Sequence, residues 1–160
     1  MELHGSRTAT GYRFAIIASR FNEDITDGLL RGARAAFEAA EVRDEDITLV
    51  RVPGAFEIPV TARRLASTGR FDAIVCLGCV IKGDTMHFEH IASAVSQGIM
   101  DAATETGVPL SFGVLTTLTE EQAAARAADG PDNKGHEAAL AAVEMATLCR
   151  RIGEAGLHED

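Results

Sequence analysis

Ala73-Ile74-Val75-Cys76-Leu77-Gly78-Cys79-Val80-Ile81 is an uncharged, apolar run of nine residues. It is far shorter than the ~20 residues that a membrane span needs. Its β-branched side chains and lack of polar alternation predict a strand covered on both faces, and such strands belong to parallel sheets with helices above and below. Lys82-Gly83-Asp84 ends the run, and a helix follows. That helix is expected to begin near Thr85, to carry Phe88, Ile91, Ala92, Val95 and Ile99 on one face, and to stop at Gly107.

The same unit of strand, loop and helix recurs in both directions. Upstream, Arg13 to Ala18 reads as a first strand, followed by a helix with Leu29, Leu30, Ala33, Phe37 and Ala40 at spacings of three and four. Ile47 to Val52 is a second strand, stopped by Pro53-Gly54, and Pro59 opens a helix to about Leu65. Downstream, Leu110 to Leu115 is a fourth strand. Thr119-Glu120-Glu121-Gln122 has the capping-box pattern for a short helix to about Ala128, and a last helix runs from Asn133 or Lys134 to about Ile152. This order predicts an α/β fold, a flavodoxin-like three-layer αβα sandwich around a four-stranded parallel sheet with right-handed crossovers. One domain over residues 1–160 is expected, with residues 1–10 as an arm and 153–160 as a polar tail.

Composition narrows the function. The chain has 160 residues, 46% hydrophobic and 24% charged, as in ordinary globular proteins. Fifteen Lys and Arg against 24 Asp and Glu give a net charge of −9, which repels a phosphate backbone, so no nucleic-acid partner is expected. No membrane partner is expected either: the amino terminus lacks a basic segment followed by an apolar stretch, and a cytoplasmic location follows. Three cysteines are too few for a disulfide framework. Cys76 and Cys79 spell C-x-x-C, yet residues three apart on a strand point to opposite faces, so their sulfurs are not expected to meet.

In open parallel sheets ligands bind outside the carboxyl ends of the strands. That selects four loops: Ser19-Arg20-Phe21-Asn22, Pro53-Gly54-Ala55-Phe56-Glu57, Lys82 to His87, and Thr116-Thr117. Gly78 to Thr85 nearly fits a P-loop, but Asp84 stands where the phosphate-binding lysine belongs, which argues against a nucleotide triphosphatase. Gly83, Asp84 and Thr85 at a helix amino terminus suit a single phosphate, or simply cap the helix. His87 is either a proton-transfer group or a surface histidine. It forms an i, i+3 pair with His90, but no third ligand has metal-site spacing, so no metal is expected. Phe21 and Phe56 are large aromatics in polar loops, either stacking faces for a planar ligand or packing groups. Glu57 can accept hydrogen bonds from hydroxyls, and Asn22 can donate and accept.

Taken together, Ser19-Arg20-Phe21-Asn22, Pro53 to Pro59, Gly78 to Thr85, His87-Phe88-Glu89, Phe112 to Thr117 and Asn133-Lys134-Gly135 closely resemble the lumazine synthase family, in order and spacing, over about residues 11 to 152. The resemblance implies a cofactor-free condensation of 5-amino-6-(D-ribitylamino)uracil with 3,4-dihydroxy-2-butanone 4-phosphate to 6,7-dimethyl-8-ribityllumazine. By the same resemblance Phe21 stacks on the pyrimidine. Asn22, Ala55 and Glu57 hold the heterocycle and ribityl chain with backbone groups of Val80 and Ile81, and Phe56 and Lys82 belong to the same binding blocks. Gly83, Asp84 and Thr85 take the phosphate with Arg126 and Lys134, and His87 shuttles protons. Phe112, Arg126 and Lys134 are implied to come from an adjacent subunit of a homopentamer, which either stays a pentamer or decamer or closes into an icosahedral shell; the short connection from Arg126 to Gly135 favours the shell, and association with riboflavin synthase is open in the same way. Cys79, His90 and the Ala128 to Asp132 loop depart from the family pattern. The rival reading of a phospho-accepting receiver domain needs an acidic pair after the first strand, where Ser19-Arg20 stands. A binder of lumazine or flavin that has lost turnover is disfavoured by the presence of His87, Arg126 and Lys134.

Overall fold

The computed structural model describes residues 1–157. Its strands are β1 (Phe14–Ser19), β2 (Ile47–Val52), β3 (Ala73–Ile81) and β4 (Leu110–Thr117). The helices are α1 (Glu23–Ala39), α2 (Ile58–Ala66), α3 (His87–Thr106), α4 (Glu120–Ala127) and α5 (Lys134–Glu154). The strands form one sheet in the order β2-β1-β3-β4, every pairing parallel.

The alternation of β3 builds two cores. Ala73, Val75, Leu77 and Cys79 face the layer of α1, α4 and α5, where the rings of Phe14 and Phe37 pack tilted at 40°, 4.7 Å between centroids. Ile74 and Cys76 face Ile58, Val95 and Ile99 of the opposite layer. Cys76 and Cys79 therefore lie in different cores, and both are free thiols.

Several boundaries differ from the sequence expectation, and β1 lies one residue later than the expected Arg13 to Ala18. β4 continues two residues past Leu115, because Thr116 and Thr117 stay paired with Val80 and Ile81. α3 begins at His87 rather than Thr85: the Thr85 hydroxyl accepts the His87 N–H at 3.3 Å, which leaves Asp84 and Thr85 in the loop ahead of the helix. α5 runs to Glu154, so the expected tail begins later, and its last three residues lie outside the described residues. The capping box at Thr119 forms in modified shape. Its hydroxyl accepts the Gln122 N–H at 3.1 Å, while the Gln122 side chain reaches one residue further out, to the Leu118 N–H at 2.9 Å.

One buried amide fixes where α5 starts. The Asn133 side chain is 1% exposed, its Nδ2 points at the carbonyls of Gly28, Ala127 and Ala128 at 3.0–3.1 Å, and its Oδ1 accepts the N–H groups of Gly135 and His136. α1 and α5 come close enough for this because Gly135 has no side chain: a Cβ there would lie 1.9 Å from the Leu29 carbonyl oxygen. Hydrogen bonds at both ends of this buried amide offset its desolvation cost, and they fix the start of α5 against α1 and the end of α4.

Candidate active site

The chain order reverses between β1, which pairs on one side with β2, and β3, which pairs on its other side with β4. At the carboxyl ends of these strands lies a cleft of about 400 Å³. The loop after β1 supplies Phe21, the turn after β2 supplies Gly54 to Glu57, and the end of β3 supplies Cys79, Val80 and Ile81. Gly83 and Thr85 close it from the loop ahead of α3, and His87, Phe88 and Ile91 from the first turns of α3. Phe21 and Phe56 are 69% and 62% exposed, so both rings belong to the rim rather than to either core.

Local structure explains these positions. Ala55–Glu57 is a single 3-10 turn closed by the Glu57 N–H on the Gly54 carbonyl at 3.2 Å, and it turns the Glu57 carboxylate back towards Gly54. Ala55 sits 7% exposed above Gly78, where a Cβ would meet Ile58 at 3.1 Å and the Ser19 hydroxyl at 3.3 Å. Asn22 adopts the left-handed conformation, φ 59°, which Asn tolerates better than most residues. Its Nδ2 donates to the Cys79 carbonyl at 3.2 Å, tying the β1 loop to the end of β3. Asn22 itself faces a separate hollow of about 270 Å³ with Asp24, Ile25 and Glu120. Lys82 and Asp84 stand exposed in the loop outside the cleft lining.

The Cys79 thiol at the end of β3 is shifted. Burial, with the Asp24 carboxylate adding to it, pushes its thiol up to about 11, so it is neutral and unreactive at physiological pH. Among the described residues no group of three His, Cys, Asp or Glu side chains is placed to hold a metal ion.

Phe112, Arg126 and Lys134 come together elsewhere. They line a groove of about 380 Å³ along β4, the edge strand, with Glu137, Ala138 and Ala141 of α5. The Phe112 ring is 48% exposed. Arg126 Nη1 donates to the Gln122 carbonyl at 3.0 Å, and Lys134 Nζ pairs with Glu137 Oε2 at 3.0 Å. The expected site residues thus fall into two sets that a single chain does not join: His87 and Phe21 at the switch point, Arg126 and Lys134 beside the edge strand. Glu137 did not emerge from the sequence. Its only signal there is the i, i+3 spacing to Lys134, which any solvated helix face shows.

Comparison with known proteins covers nearly the whole chain. The family model described as 6,7-dimethyl-8-ribityllumazine synthase matches residues 11–150. A relative from Syntrophus aciditrophicus (strain SB), named 6,7-dimethyl-8-ribityllumazine synthase, is 49% identical over 148 residues, 92% of this chain and 96% of its own length. A relative of the same name from Salinibacter ruber (strain DSM 13855 / M31) is 46% identical over 150 residues, 94% of this chain and 96% of its own.

Proposed function

The chain belongs to the 6,7-dimethyl-8-ribityllumazine synthase family, and from that premise we propose how its two clefts divide the work. The enzyme is a transferase of riboflavin biosynthesis. It condenses 5-amino-6-(D-ribitylamino)uracil with 3,4-dihydroxy-2-butanone 4-phosphate to give 6,7-dimethyl-8-ribityllumazine, phosphate and water.

In our reading the cleft at the switch point takes the pyrimidine. Phe21 stacks on the ring and Phe56 flanks it. Ala55, the Glu57 carboxylate and the backbone of Val80 and Ile81 fix the heterocycle and the ribityl hydroxyls, and Asn22 supports them from the β1 loop. Backbone groups of Gly83, Asp84 and Thr85 receive the phosphate, with Lys82 adding positive charge on the same loop. Arg126 and Lys134 of an adjacent chain complete the phosphate site, and Phe112 of that chain covers the pyrimidine cleft.

The chemistry asks little beyond placement. The 5-amino group attacks the ketone, loss of water forms an imine, phosphate leaves, and the ribityl-bearing nitrogen closes the ring with loss of a further water. Holding the amine beside the ketone supplies most of the acceleration as effective molarity. His87, on the cleft wall at the start of α3, moves the protons and adds about 10²–10⁴-fold. No cofactor enters this scheme.

The observation that carries the reading is the separation of His87 from Arg126 and Lys134, which one chain leaves in different clefts. In our reading an oligomer resolves it, with a neighbour's cleft set against the groove beside edge strand β4. We take the minimal unit to be a pentamer and favour its closure into an icosahedral shell, since the connection from Arg126 to Gly135 carries no insertion. Such a shell would enclose riboflavin synthase, which consumes the product. A cytoplasmic location belongs to the same proposal; among the described residues no helix is long and apolar enough to cross a membrane.

Mixing the protein with both substrates and following lumazine absorbance tests the catalytic assignment. Sedimentation velocity tests the assembly. Full activity in a monomer would overturn the shared site, and a species limited to the pentamer would overturn the shell.

A further inference from the structure

Arg126 and Lys134, the two cations beside β4, stand on different helices, and one buried side chain ties those helices together. α4 is only eight residues long and runs out into extended backbone at Ala128, and the last carbonyls of any helix lack partners within it. Here Asn133 Nδ2 meets them: it lies 3.0 Å from the Ala127 carbonyl, 3.1 Å from that of Ala128 and 3.0 Å from that of Gly28 in α1. At its other end Oδ1 accepts the Gly135 and His136 N–H groups of α5 at 2.8 and 3.0 Å. Arg126 directly precedes the first of these carbonyls, and Lys134 directly follows Asn133. Along the chain the two helices are joined only by residues 128–132, all exposed. Two glycines of α1 make room for the clamp, since a Cβ on Gly32 would overlap the amide and one on Gly28 would lie 2.6 Å from the Ala127 carbonyl oxygen.

We propose that Asn133 is a positioning residue of the phosphate half-site: by clamping the end of α4 to the start of α5 it fixes the spacing of the Arg126 guanidinium and the Lys134 ammonium before a phosphate arrives. This rests on the reading of the groove as the place where an adjacent chain's substrate phosphate is gripped. The guanidinium follows α4, because its Nη1 donates to the Gln122 carbonyl of the same helix at 3.0 Å. Two cations grip one phosphate strongly when their separation is set in advance, and an exposed loop alone would leave that ordering to the binding step. The task calls for an amide. It donates at one end and accepts at the other, whereas a carboxylate lacks the donor and a serine hydroxyl is too short to span both helices.

The test measures steady-state constants of the assembled enzyme, with inorganic phosphate as a competitive inhibitor against the butanone phosphate. Asn133→Ser keeps an acceptor for the start of α5 and deletes the bridge to α4. It is expected to raise the KM for the butanone phosphate about tenfold, a modest share of what misplacing a binding group by 1 Å can cost, and to weaken phosphate inhibition in parallel. The kcat at saturation and the KM for the pyrimidine should stay at their wild-type values. In an Arg126→Ala background the added effect should largely vanish, because one cation is left and no spacing remains to be set. Gly28→Ala keeps the amide and both cations but displaces the Ala127 carbonyl, and it should show the same signature; alanine is favoured over glycine inside a helix, so this variant carries the decision if Asn133→Ser does not assemble. Ile74→Ala, at the far end of β3 in the opposite core, should lower the unfolding midpoint and leave every one of these constants unmoved.

An unchanged phosphosugar KM in Asn133→Ser and Gly28→Ala, while Arg126→Ala raises it, would overturn this inference and leave the phosphate half-site standing. So would a KM rise of the same size in Ile74→Ala, which would reduce the role of Asn133 to general stability. If Arg126→Ala and Lys134→Gln both leave the phosphosugar KM and phosphate inhibition at wild-type values, the half-site reading fails and the role of Asn133 falls with it.

Discussion

His87 and Arg126 of one chain open into different clefts, His87 beside Phe21 at the β1/β3 switch point and Arg126 beside Lys134 along the edge strand β4. If a working site takes one cleft from each of two chains, two crippled variants should repair each other. His87→Ala spoils only the first cleft and Arg126→Ala only the second. Oligomers reassembled from equal amounts of both should regain about a quarter of wild-type activity at limiting phosphosugar, the statistical share of sites built from two intact halves. Activity equal to the average of the separate variants would mean that each chain works alone.

The same two residues should differ in kinetic signature. His87→Ala is expected to lower kcat by ~10²-fold, near the bottom of the acid–base range, with little change in KM for the phosphosugar. Arg126→Ala should raise that KM, since a charge-assisted contact to the bound ester is lost, and Arg126→Lys should recover part of it. Wild-type kcat should carry a pH dependence that disappears in His87→Ala. A His87→Ala profile that matches wild type would remove the proton shuttle from the mechanism.

Phe21 and Phe37 allow a matched comparison. Phe37 is fully buried against Phe14, and Phe21 is 69% exposed on the cleft rim. Phe37→Ala should cost about 3–5 kcal/mol of stability, the usual range for a buried Phe. Phe21→Ala should leave the unfolding midpoint within experimental error and weaken pyrimidine binding instead. Denaturant titration beside a binding isotherm measures both, and a large loss of stability in Phe21→Ala would assign that ring to the core.

Element boundaries were legible where a physical stop was written in the chain. β2 and β3 end at Val52 and Ile81 as expected, because Pro53-Gly54 and Lys82-Gly83 interrupt apolar runs. Thr116 and Thr117 look like loop residues, and only their pairing with β3 keeps them in the strand. The start of α3 is equally hidden, since the Thr85 hydroxyl that meets the His87 N–H is a contact no periodicity announces. At the site, two phenylalanines in polar loops were a readable signal. Which residues share a cleft came only from the family resemblance and not from periodicity or spacing, because it depends on β4 lying at the sheet edge, away from β2.

The end of α1 offers a stabilising change. The Val42 N–H bonds the Phe37 carbonyl and the Glu41 N–H bonds the Glu38 carbonyl, both at 3.0 Å, which is a Schellman ending with Glu41 at the left-handed position, φ 63°. A side chain costs roughly 1–2 kcal/mol in that conformation, and glycine avoids it. Glu41→Gly should therefore raise stability by about 1 kcal/mol after the greater freedom of an unfolded glycine is subtracted. A lower unfolding midpoint would show that the Glu41 side chain contributes more than its backbone strain.

The C-x-x-C pair gives the last expectation, and its sign can be worked out. Burial pushes the Cys76 thiol up to about 12, and burial together with Asp24 pushes Cys79 up to about 11. In the unfolded chain both return to the ordinary thiol range, ~8.5. The folded state thus binds a proton more tightly than the unfolded state at each site. The stability this confers is complete below ~8.5 and is lost as pH rises through about 11 and then about 12. Between these limits each thiol should make unfolding easier by about 1.4 kcal/mol per pH unit, so Cys76→Ala should be less stable at neutral pH from its cavity yet lose stability less steeply above pH ~9. The native protein at pH ~8 should be alkylated only at Cys149, the partly buried thiol, and at all three cysteines in denaturant. Because Cys76 and Cys79 face opposite cores, a mild oxidant should not join them. Rapid native alkylation of Cys79, or an intramolecular disulfide seen by mass spectrometry, would mean that the end of β3 opens in solution and that the neutral, protected thiol assigned to the cleft wall is wrong.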